Sequence, residues 1–236
     1  RRGDGYGPLV SPGVRRGPLG LLGRQRDERG WAGALVKNPN CSTLTMAPPL
    51  AAIDESVGLE RVTVSTLQAV SGAGYSGVTS MEILDNAIPH IGGEENKMET
   101  ESRKLLGEFD GASVDWLDAR VDASCNRIPT LDGHLENVWT DTTEPVTVDA
   151  VAEAMRAYPT LDLPSAPDQL IHVFDRPDRP QPRLDRTREQ GMGVDVGGLQ
   201  TTDGGVQFDC LAHNTMRGAA GASVLNGELL LEQGYI

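Results

Sequence analysis

The stretch Lys37-Asn-Pro-Asn-Cys-Ser-Thr43 leads into the first strongly patterned helix of the chain. Residues 45–53, which follow it, are mostly small and apolar, as expected of a helix with most of its surface buried. Asn40 belongs to the residue types that cap helix N-termini. The pattern therefore predicts a helix that begins at Cys41 and ends near Ser56.

A thiol at the start of this helix would meet the positive end of the helix dipole and several free backbone N–H groups. Both features favour the thiolate, and the N–H groups would stabilise an oxyanion formed beside it. We therefore predict that Cys41 is a catalytic nucleophile. The alternative is that Cys41 is a small buried apolar residue, the commoner role of an intracellular cysteine.

Length and composition indicate a globular protein with a sizeable core. The chain has 236 residues, is 38% hydrophobic and has a mean hydropathy of −0.32. We find no apolar run near the roughly 18 residues of a membrane span, and no segment resembling a signal peptide. We expect a cytoplasmic protein with no membrane partner. Three widely spaced cysteines indicate free thiols and predict no metal site.

The charge composition is strongly acidic, with 34 carboxylates against 21 basic residues and a net charge of −13. Such a field repels phosphate, so we expect no nucleic-acid partner. Only Lys37, Lys97 and Lys104 are lysines. A lysine-poor acidic surface is also typical of proteins adapted to high salt, which we state as a hypothesis about habitat.

Hydrophobic periodicity predicts helices and strands that do not follow a regular βαβ order. We predict a loop for the residues up to Gly20. The predicted helices are residues 21–30, 41–56, 94–107, 147–158 and 214–231. The predicted strands are residues 34–37, 59–68, 114–128, 135–143, 192–199 and 205–212, with a tight turn at 71–74 and a long loop at 175–188. We therefore predict an α+β fold with a mixed or antiparallel sheet.

Six motifs occur along the chain in an order that is known from one enzyme family. They are Asn-Pro-Asn-Cys-Ser-Thr (38–43), Gln-Ala-Val-Ser-Gly-Ala-Gly-Tyr (68–75), Ile-Gly-Gly-Glu-Glu-Asn-Lys-Met-Glu (91–99), Cys-Asn-Arg-Ile-Pro-Thr-Leu-Asp-Gly-His (125–134), Arg-Pro-Gln-Pro-Arg-Leu-Asp-Arg (179–186) and His-Asn-Thr-Met-Arg-Gly-Ala-Ala-Gly-Ala-Ser (213–223). Together they resemble aspartate-semialdehyde dehydrogenases of the archaeal and fungal branch. The resemblance runs from about Trp31 to Ile236.

The resemblance implies a domain like the C-terminal domain of glyceraldehyde-3-phosphate dehydrogenase. It divides the chain into a leader or remnant of a dinucleotide-binding domain (1–36), a catalytic and dimerisation domain (37–212) and a C-terminal helix that returns to the cofactor domain (213–236). No glycine-rich phosphate loop precedes Cys41, so we expect the Rossmann domain to be largely missing.

The implied activity is NADP-dependent reductive dephosphorylation of L-aspartyl 4-phosphate to L-aspartate 4-semialdehyde. This reaction serves biosynthesis of lysine, threonine, methionine and isoleucine. The implied assembly is a homodimer or homotetramer. In this family the counterpart of Cys41 forms a thioester, that of His134 is the general acid/base, and that of Gln68 orients the substrate carbonyl.

The resemblance also assigns binding residues. Arg127 would bind the substrate α-carboxylate, Glu94 the amino group and Lys97 the phosphate. The segment that meets the nicotinamide of NADP would include Asn214, Ser71 and Gly72.

Each residue also has a purely structural interpretation. His134 could be a turn histidine, Arg127 a surface arginine and Gln68 an ordinary glutamine at a strand end. Glu94 and Lys97 could form a solvated ion pair three residues apart on a helix.

Two other functions remain open. A malonyl-CoA-type acyl-CoA reductase could use the same scaffold, because a thiolate also accepts an acyl group from CoA. The chain could alternatively be an inactive fragment that dimerises but lacks the cofactor domain.

Overall fold

A computed structural model describes residues 8–14 and 17–236, and in this part of the chain six strands form one central sheet. The strands are β1 (Leu59–Gln68), β2 (Glu108–Phe109), β3 (Val114–Asp115), β4 (Arg120–Arg127), β5 (His134–Thr142), β6 (Ile171–Val173), β7 (Val194–Thr201) and β8 (Gly205–Ala212). The helices are α1 (Leu21–Arg29), α2 (Cys41–Val57), α3 (Ser80–Ile83), α4 (Glu94–Leu105), α5 (Val148–Arg156), α6 (Pro182–Asp185) and α7 (Gly221–Glu232).

The central sheet has the strand order β4-β1-β5-β8-β7-β6, whereas β2 and β3 form a separate hairpin. The pairs β1–β4 and β6–β7 are parallel, and the three pairs between β1, β5, β8 and β7 are antiparallel. This mixed sheet with helices confirms the predicted α+β class.

Helix α2 forms the centre of the packing above the sheet. The side-chain oxygen of Asn40 accepts hydrogen bonds from the N–H groups of Ser42 and Thr43, which caps the helix as predicted. The helix continues through Pro48 and Pro49, and both are buried. Burial against the core outweighs the helix-breaking tendency of proline here.

The segment before Trp31 is part of the folded structure although residues 8–14 have no regular element. Leu9 and Val14 belong to the main core. A second cluster joins this segment to the end of the chain and consists of Val10, Leu19, Leu22, Leu229 and Leu230. Helix α1, predicted as residues 21–30, is confirmed. Residues 1–7 and 15–16 of the predicted loop lie outside the described residues, and its last part, Gly17–Gly20, is a short 3-10 helix instead of a loop.

Three element predictions differ from the structure. The strand predicted at 34–37 is wrong, because within residues 8–14 and 17–236 only Lys37 of this stretch pairs, in an isolated bridge with Leu9. The strand predicted at 114–128 is two strands, β3 and β4. Strand β6 was missed because three residues are too short to show a period of two.

The C-terminal helix also differs from its prediction. We predicted one helix over 214–231, whereas the structure has a π-helical turn over Met216–Ala220 followed by α7.

Among the described residues, no helix is both long enough and apolar enough to cross a membrane.

We expect Leu22→Ala to lower the free energy of unfolding by about 2–5 kcal/mol, because Leu22 is completely buried between the first and last segments. Leu231→Ala makes the same chemical change at an exposed position of α7 and should stay within about 0.5 kcal/mol of the parent. Urea denaturation of both variants measures the difference. Equal stabilities would show that the segment before Trp31 does not pack on the C-terminal helix.

Candidate active site

The structure brings the predicted nucleophile and the predicted acid/base together. Cys41 is the first residue of α2 and His134 is the first residue of β5. The Sγ atom of Cys41 lies 3.3 Å from Nε2 of His134. Cys41 is partly exposed, whereas His134 is completely buried beneath it. Part of Cys41 is therefore open to solvent, while the imidazole is shielded from it.

The expectation that the helix terminus favours the thiolate does not hold in this structure. Burial raises the pKa of Cys41 to about 12, and the carboxyl groups of Glu94 and Glu136 raise it further. The backbone N–H groups of Ser42 and Cys41 lower the pKa but are outweighed. The N–H groups of Ser42 and Thr43 also donate to the Asn40 side chain, so they are less free than we expected.

The imidazole of His134 has a partner at each ring nitrogen. Besides the contact of Nε2 with the Cys41 sulfur, Nδ1 accepts a hydrogen bond from the backbone N–H of Ala69 at 3.1 Å. Burial lowers the pKa of His134 to about 3, and the positive charge of Arg127 and the proximity of His213 lower it further. At neutral pH the ring is therefore uncharged.

Arg127 ends strand β4 and lies against the same turn. Its Nη1 donates to the carbonyl oxygen of Ala69 at 2.7 Å, and only 6% of the residue is exposed. A methyl group on Gly72 would lie 2.7 Å from Nη1 of Arg127 and 3.0 Å from Cε1 of His134. The absence of a side chain at Gly72 therefore lets the turn approach both groups.

Glu94 and Lys97 lie on the first turn of α4, beside the cap of α2. Nζ of Lys97 lies 3.1 Å from Oε2 of Glu94, so the predicted contact three residues apart is present. The Glu94 side chain is almost fully buried, and its Oε1 accepts a hydrogen bond from Nδ2 of Asn40 at 2.7 Å. The pair is therefore more than a solvated surface ion pair.

Gln68 is buried, and its Nε2 atom lies 3.3 Å from Oγ1 of Thr66. Asn214 connects two turns of the site: its Oδ1 accepts from the N–H of Gly133, and its Nδ2 donates to Oγ of Ser71, both at 2.8 Å. Among the described residues, no hydrogen bond joins Gln68 or Asn214 to the Cys41 sulfur or the His134 imidazole, so the roles of these two residues remain predictions.

Sequence reasoning missed three parts of this arrangement. A Cβ on Gly218 would lie 2.7 Å from Cβ of Cys41, so the π-helical turn packs directly on the nucleophile. Glu136 is completely buried, which raises its carboxyl pKa well above the usual value. The sequence could have indicated this burial, because His134 and Glu136 are two residues apart on strand β5 and so point to the same, buried face. The backbone of Ala69 carries no sequence signal.

Within residues 8–14 and 17–236, no group of three His, Cys, Asp or Glu side chains is arranged to hold a metal ion. The groups that are assembled are a thiol, an imidazole and a guanidinium. A thiol with a hydrogen-bond donor on one side and a carboxylate-binding cation nearby is suited to acyl transfer through a covalent intermediate on sulfur.

Residues 50–217 match the family model described as "Semialdehyde dehydrogenase, dimerisation domain". The chain is 47% identical to the aspartate-semialdehyde dehydrogenase of Archaeoglobus fulgidus, over 97% of this chain and 67% of the relative. It is 48% identical to that of Methanothermobacter thermautotrophicus, over 95% of this chain and 67% of the relative. The first alignment omits only 3% of the chain, so it extends well before Trp31, where our motif-based resemblance began.

Solved structures of aspartate-semialdehyde dehydrogenases are also similar to this chain. The aspartate-semialdehyde dehydrogenase of Candida albicans with NADP superposes with a TM-score of 0.87 and 36% identity, covering 100% of this chain and 69% of that one. The aspartate semialdehyde dehydrogenase II of Vibrio cholerae complexed with ASA gives 0.75 and 27%, covering 95% and 68%. The chain belongs to the aspartate-semialdehyde dehydrogenase family.

Proposed function

We propose that this chain carries the site for reversible, NADP-dependent reductive dephosphorylation of L-aspartyl 4-phosphate to L-aspartate 4-semialdehyde. The observation that carries the proposal is the Cys41–His134 contact at 3.3 Å, with the buried Arg127 guanidinium beside the same turn. The relatives from Archaeoglobus fulgidus and Methanothermobacter thermautotrophicus, at 47% and 48% identity, are named aspartate-semialdehyde dehydrogenases.

The first half-reaction is acyl transfer to sulfur. The Cys41 sulfur attacks the acyl carbon, the bond from this carbon to the phosphate oxygen breaks, and inorganic phosphate leaves as HPO4²⁻ with the proton that the thiol has lost. The product is an aspartyl thioester on Cys41. The Nε2 atom of His134 lies where a hydrogen bond can reach the sulfur or an oxygen on the attached carbon.

Substrate binding would use charges on β4 and α4. One N–H of the Arg127 guanidinium is taken by the Ala69 carbonyl, and guanidinium has five N–H groups, so others remain for the substrate α-carboxylate. We assign Glu94 to the substrate amino group and the half-exposed Lys97 to its phosphate. Gln68 would orient the substrate carbonyl.

The turn that carries Ser71 and Gly72 fits the nicotinamide end of NADP. Gly72 is exposed and Ser71 is partly exposed, whereas Arg127 and His134 are buried beneath them. The Ser71 oxygen accepts a hydrogen bond from Asn214, which leaves its hydroxyl hydrogen for an outside acceptor. NADPH, when bound, supplies the hydride that reduces the thioester carbon to the aldehyde level.

The biological setting follows from the same proposal. The product would supply biosynthesis of lysine, threonine, methionine and isoleucine, in the cytoplasm. The matched dimerisation model supports a homodimer as the smallest assembly, with a tetramer as a larger form. The net charge of −13 with three lysines supports adaptation to high salt.

An acyl-CoA reductase on this scaffold is not favoured. The curated relatives are named aspartate-semialdehyde dehydrogenases. Arg127 and Glu94 also offer the charges that an amino acid requires, whereas a malonyl group has no amino group for Glu94.

We expect L-aspartate 4-semialdehyde to slow alkylation of Cys41 by iodoacetamide without any cofactor, because a thiol adds reversibly to an aldehyde. Arg127→Lys should weaken this protection at least about tenfold, since loss of a charge-assisted bidentate contact costs about 1.5–3 kcal/mol. Mass spectrometry of the Cys41 peptide gives the rates. Protection by malonyl-CoA with none by the semialdehyde would overturn the proposed substrate.

Gly72→Ala should also weaken protection by the semialdehyde at least about tenfold, because its methyl group would lie 2.7 Å from Nη1 of Arg127 and 3.0 Å from Cε1 of His134, so a side chain of the site must move. Gly33→Ala is the matched control, as a methyl group there meets no atom within 4 Å. The same alkylation assay compares the two variants at several semialdehyde concentrations. Equal protection in both would mean that the turn at Gly72 does not position the site.

A further inference from the structure

Arg217 is a buried cation for which the described residues supply no hydrogen-bonding anion. It lies in the π-helical turn Met216–Ala220, and none of its surface is exposed. Its Nη2 atom donates to the carbonyl oxygen of Pro12 at 2.9 Å. Its Nε and Nη1 atoms are also buried, and within residues 8–14 and 17–236 neither has a hydrogen-bond acceptor. At least three of the five N–H groups of this guanidinium therefore lack a partner.

The guanidinium keeps its charge at neutral pH. Burial lowers the pKa of Arg217 to about 10, and the nearby phenol of Tyr158 raises it. A phenol is uncharged at neutral pH, so Tyr158 does not neutralise the cation. A buried charge that lacks both a counterion and hydrogen-bond partners is strongly destabilising. The site therefore calls for an anion.

Two other buried polar atoms at the same segment lack a partner among the described residues. They are Oγ of Ser11, the residue before Pro12, and Oδ1 of Asn226 in α7. Asn226 contacts this segment through Nδ2, which donates to the carbonyl oxygen of Val10 at 3.3 Å. Buried polar groups without partners commonly mark a bound water or ion. All three unsatisfied side chains thus belong to, or contact, residues 10–12.

We propose that Arg217 binds a small monovalent anion, such as chloride, in a buried site between residues 10–12 and the π-helical turn. The N–H groups at Nε and Nη1 donate to the anion, and the Ser11 hydroxyl is a further donor. Oδ1 of Asn226 accepts, so it requires a water between itself and the anion. The inference does not depend on the proposed function.

Charge and burial determine the class of ligand. One guanidinium carries a single positive charge, which a monovalent anion neutralises. A doubly charged anion such as sulfate or phosphate would leave an excess negative charge in the same buried place. Arg217 has no exposed surface, so the ligand must also be small. The site therefore differs from the substrate phosphate site that we assign to the half-exposed Lys97.

The anion would stabilise the turn that supports the nucleophile. Gly218 follows Arg217 and packs against Cβ of Cys41. Its N–H donates to the carbonyl oxygen of His213 at 3.1 Å, which holds the turn on the other side. An anion at Arg217 would join residues 10–12 to this turn. We therefore expect it to stabilise the folded chain and to take no part in the reaction itself.

The first test is urea denaturation of the whole chain at neutral pH. We expect the unfolding equilibrium constant to be at least about tenfold smaller in about 0.5 M sodium chloride than in the same concentration of sodium gluconate, because a ligand that binds only the folded state stabilises it. Gluconate screens charge equally but is too large for the site, and the chloride effect should saturate, unlike screening.

Variants locate this effect. Arg217→Met retains an apolar stem but no donor, so its stability should be the same in the two salts. Arg156→Met makes the same chemical change at a partly exposed arginine of α5 that pairs with Asp175 at 2.8 Å, and it should retain the chloride effect. A chloride effect of equal size in Arg217→Met, or none in the parent chain, would contradict the proposal.

A direct test needs no variant and so does not depend on whether Arg217→Met folds. Crystals of the whole chain grown with sodium bromide should show an anomalous scattering peak within hydrogen-bond distance of Nε or Nη1 of Arg217. Bromide peaks at exposed arginines and lysines alone would show an adventitious ion only and would overturn the proposal. A carboxylate found against the guanidinium would overturn it as well.

Discussion

The Asn40 side chain is the contact on which the placement of the nucleophile depends. Its Oδ1 caps α2 through Ser42 and Thr43, and its Nδ2 donates to Glu94 at the start of α4. Its backbone N–H also donates to Oε2 of Glu101 at 2.6 Å. One residue therefore caps α2 beside Cys41 and ties this end of the helix to two carboxyl groups of α4.

Sheet register supplies the rest of the site. Gln68 on β1 pairs with Arg127 on β4, and Leu67 pairs with Leu135 next to His134 on β5. The ends of three neighbouring strands thus meet below the N-terminus of α2. A slip of one residue in β5 would turn His134 and Glu136 away from the core, so the buried alternation of this strand and the active site depend on one register.

Short-range sequence patterns predicted the helices and strands that carry the site. The pKa values of the site depend instead on groups that are distant in the sequence. The bounds of β1 and the start of α2 agree with the sequence, because alternation and an asparagine cap are local properties. The pKa of Cys41 depends instead on burial and on carboxyl groups 53 and 95 residues away in the chain (94 − 41 and 136 − 41). The prediction of a strand at 34–37 was wrong because, in the part of the chain that the structure describes, this stretch pairs through the single bridge between Lys37 and Leu9.

The central claim is that Cys41 accepts the aspartyl group from L-aspartyl 4-phosphate. The most direct measurement is mass spectrometry of the chain after incubation with this acyl phosphate in the absence of cofactor. The account predicts an aspartyl thioester on the Cys41 peptide, removed by hydroxylamine, with an equal amount of phosphate released. Modification at Cys125, Cys210 or another residue, or phosphate release without a bound aspartyl group, would contradict it.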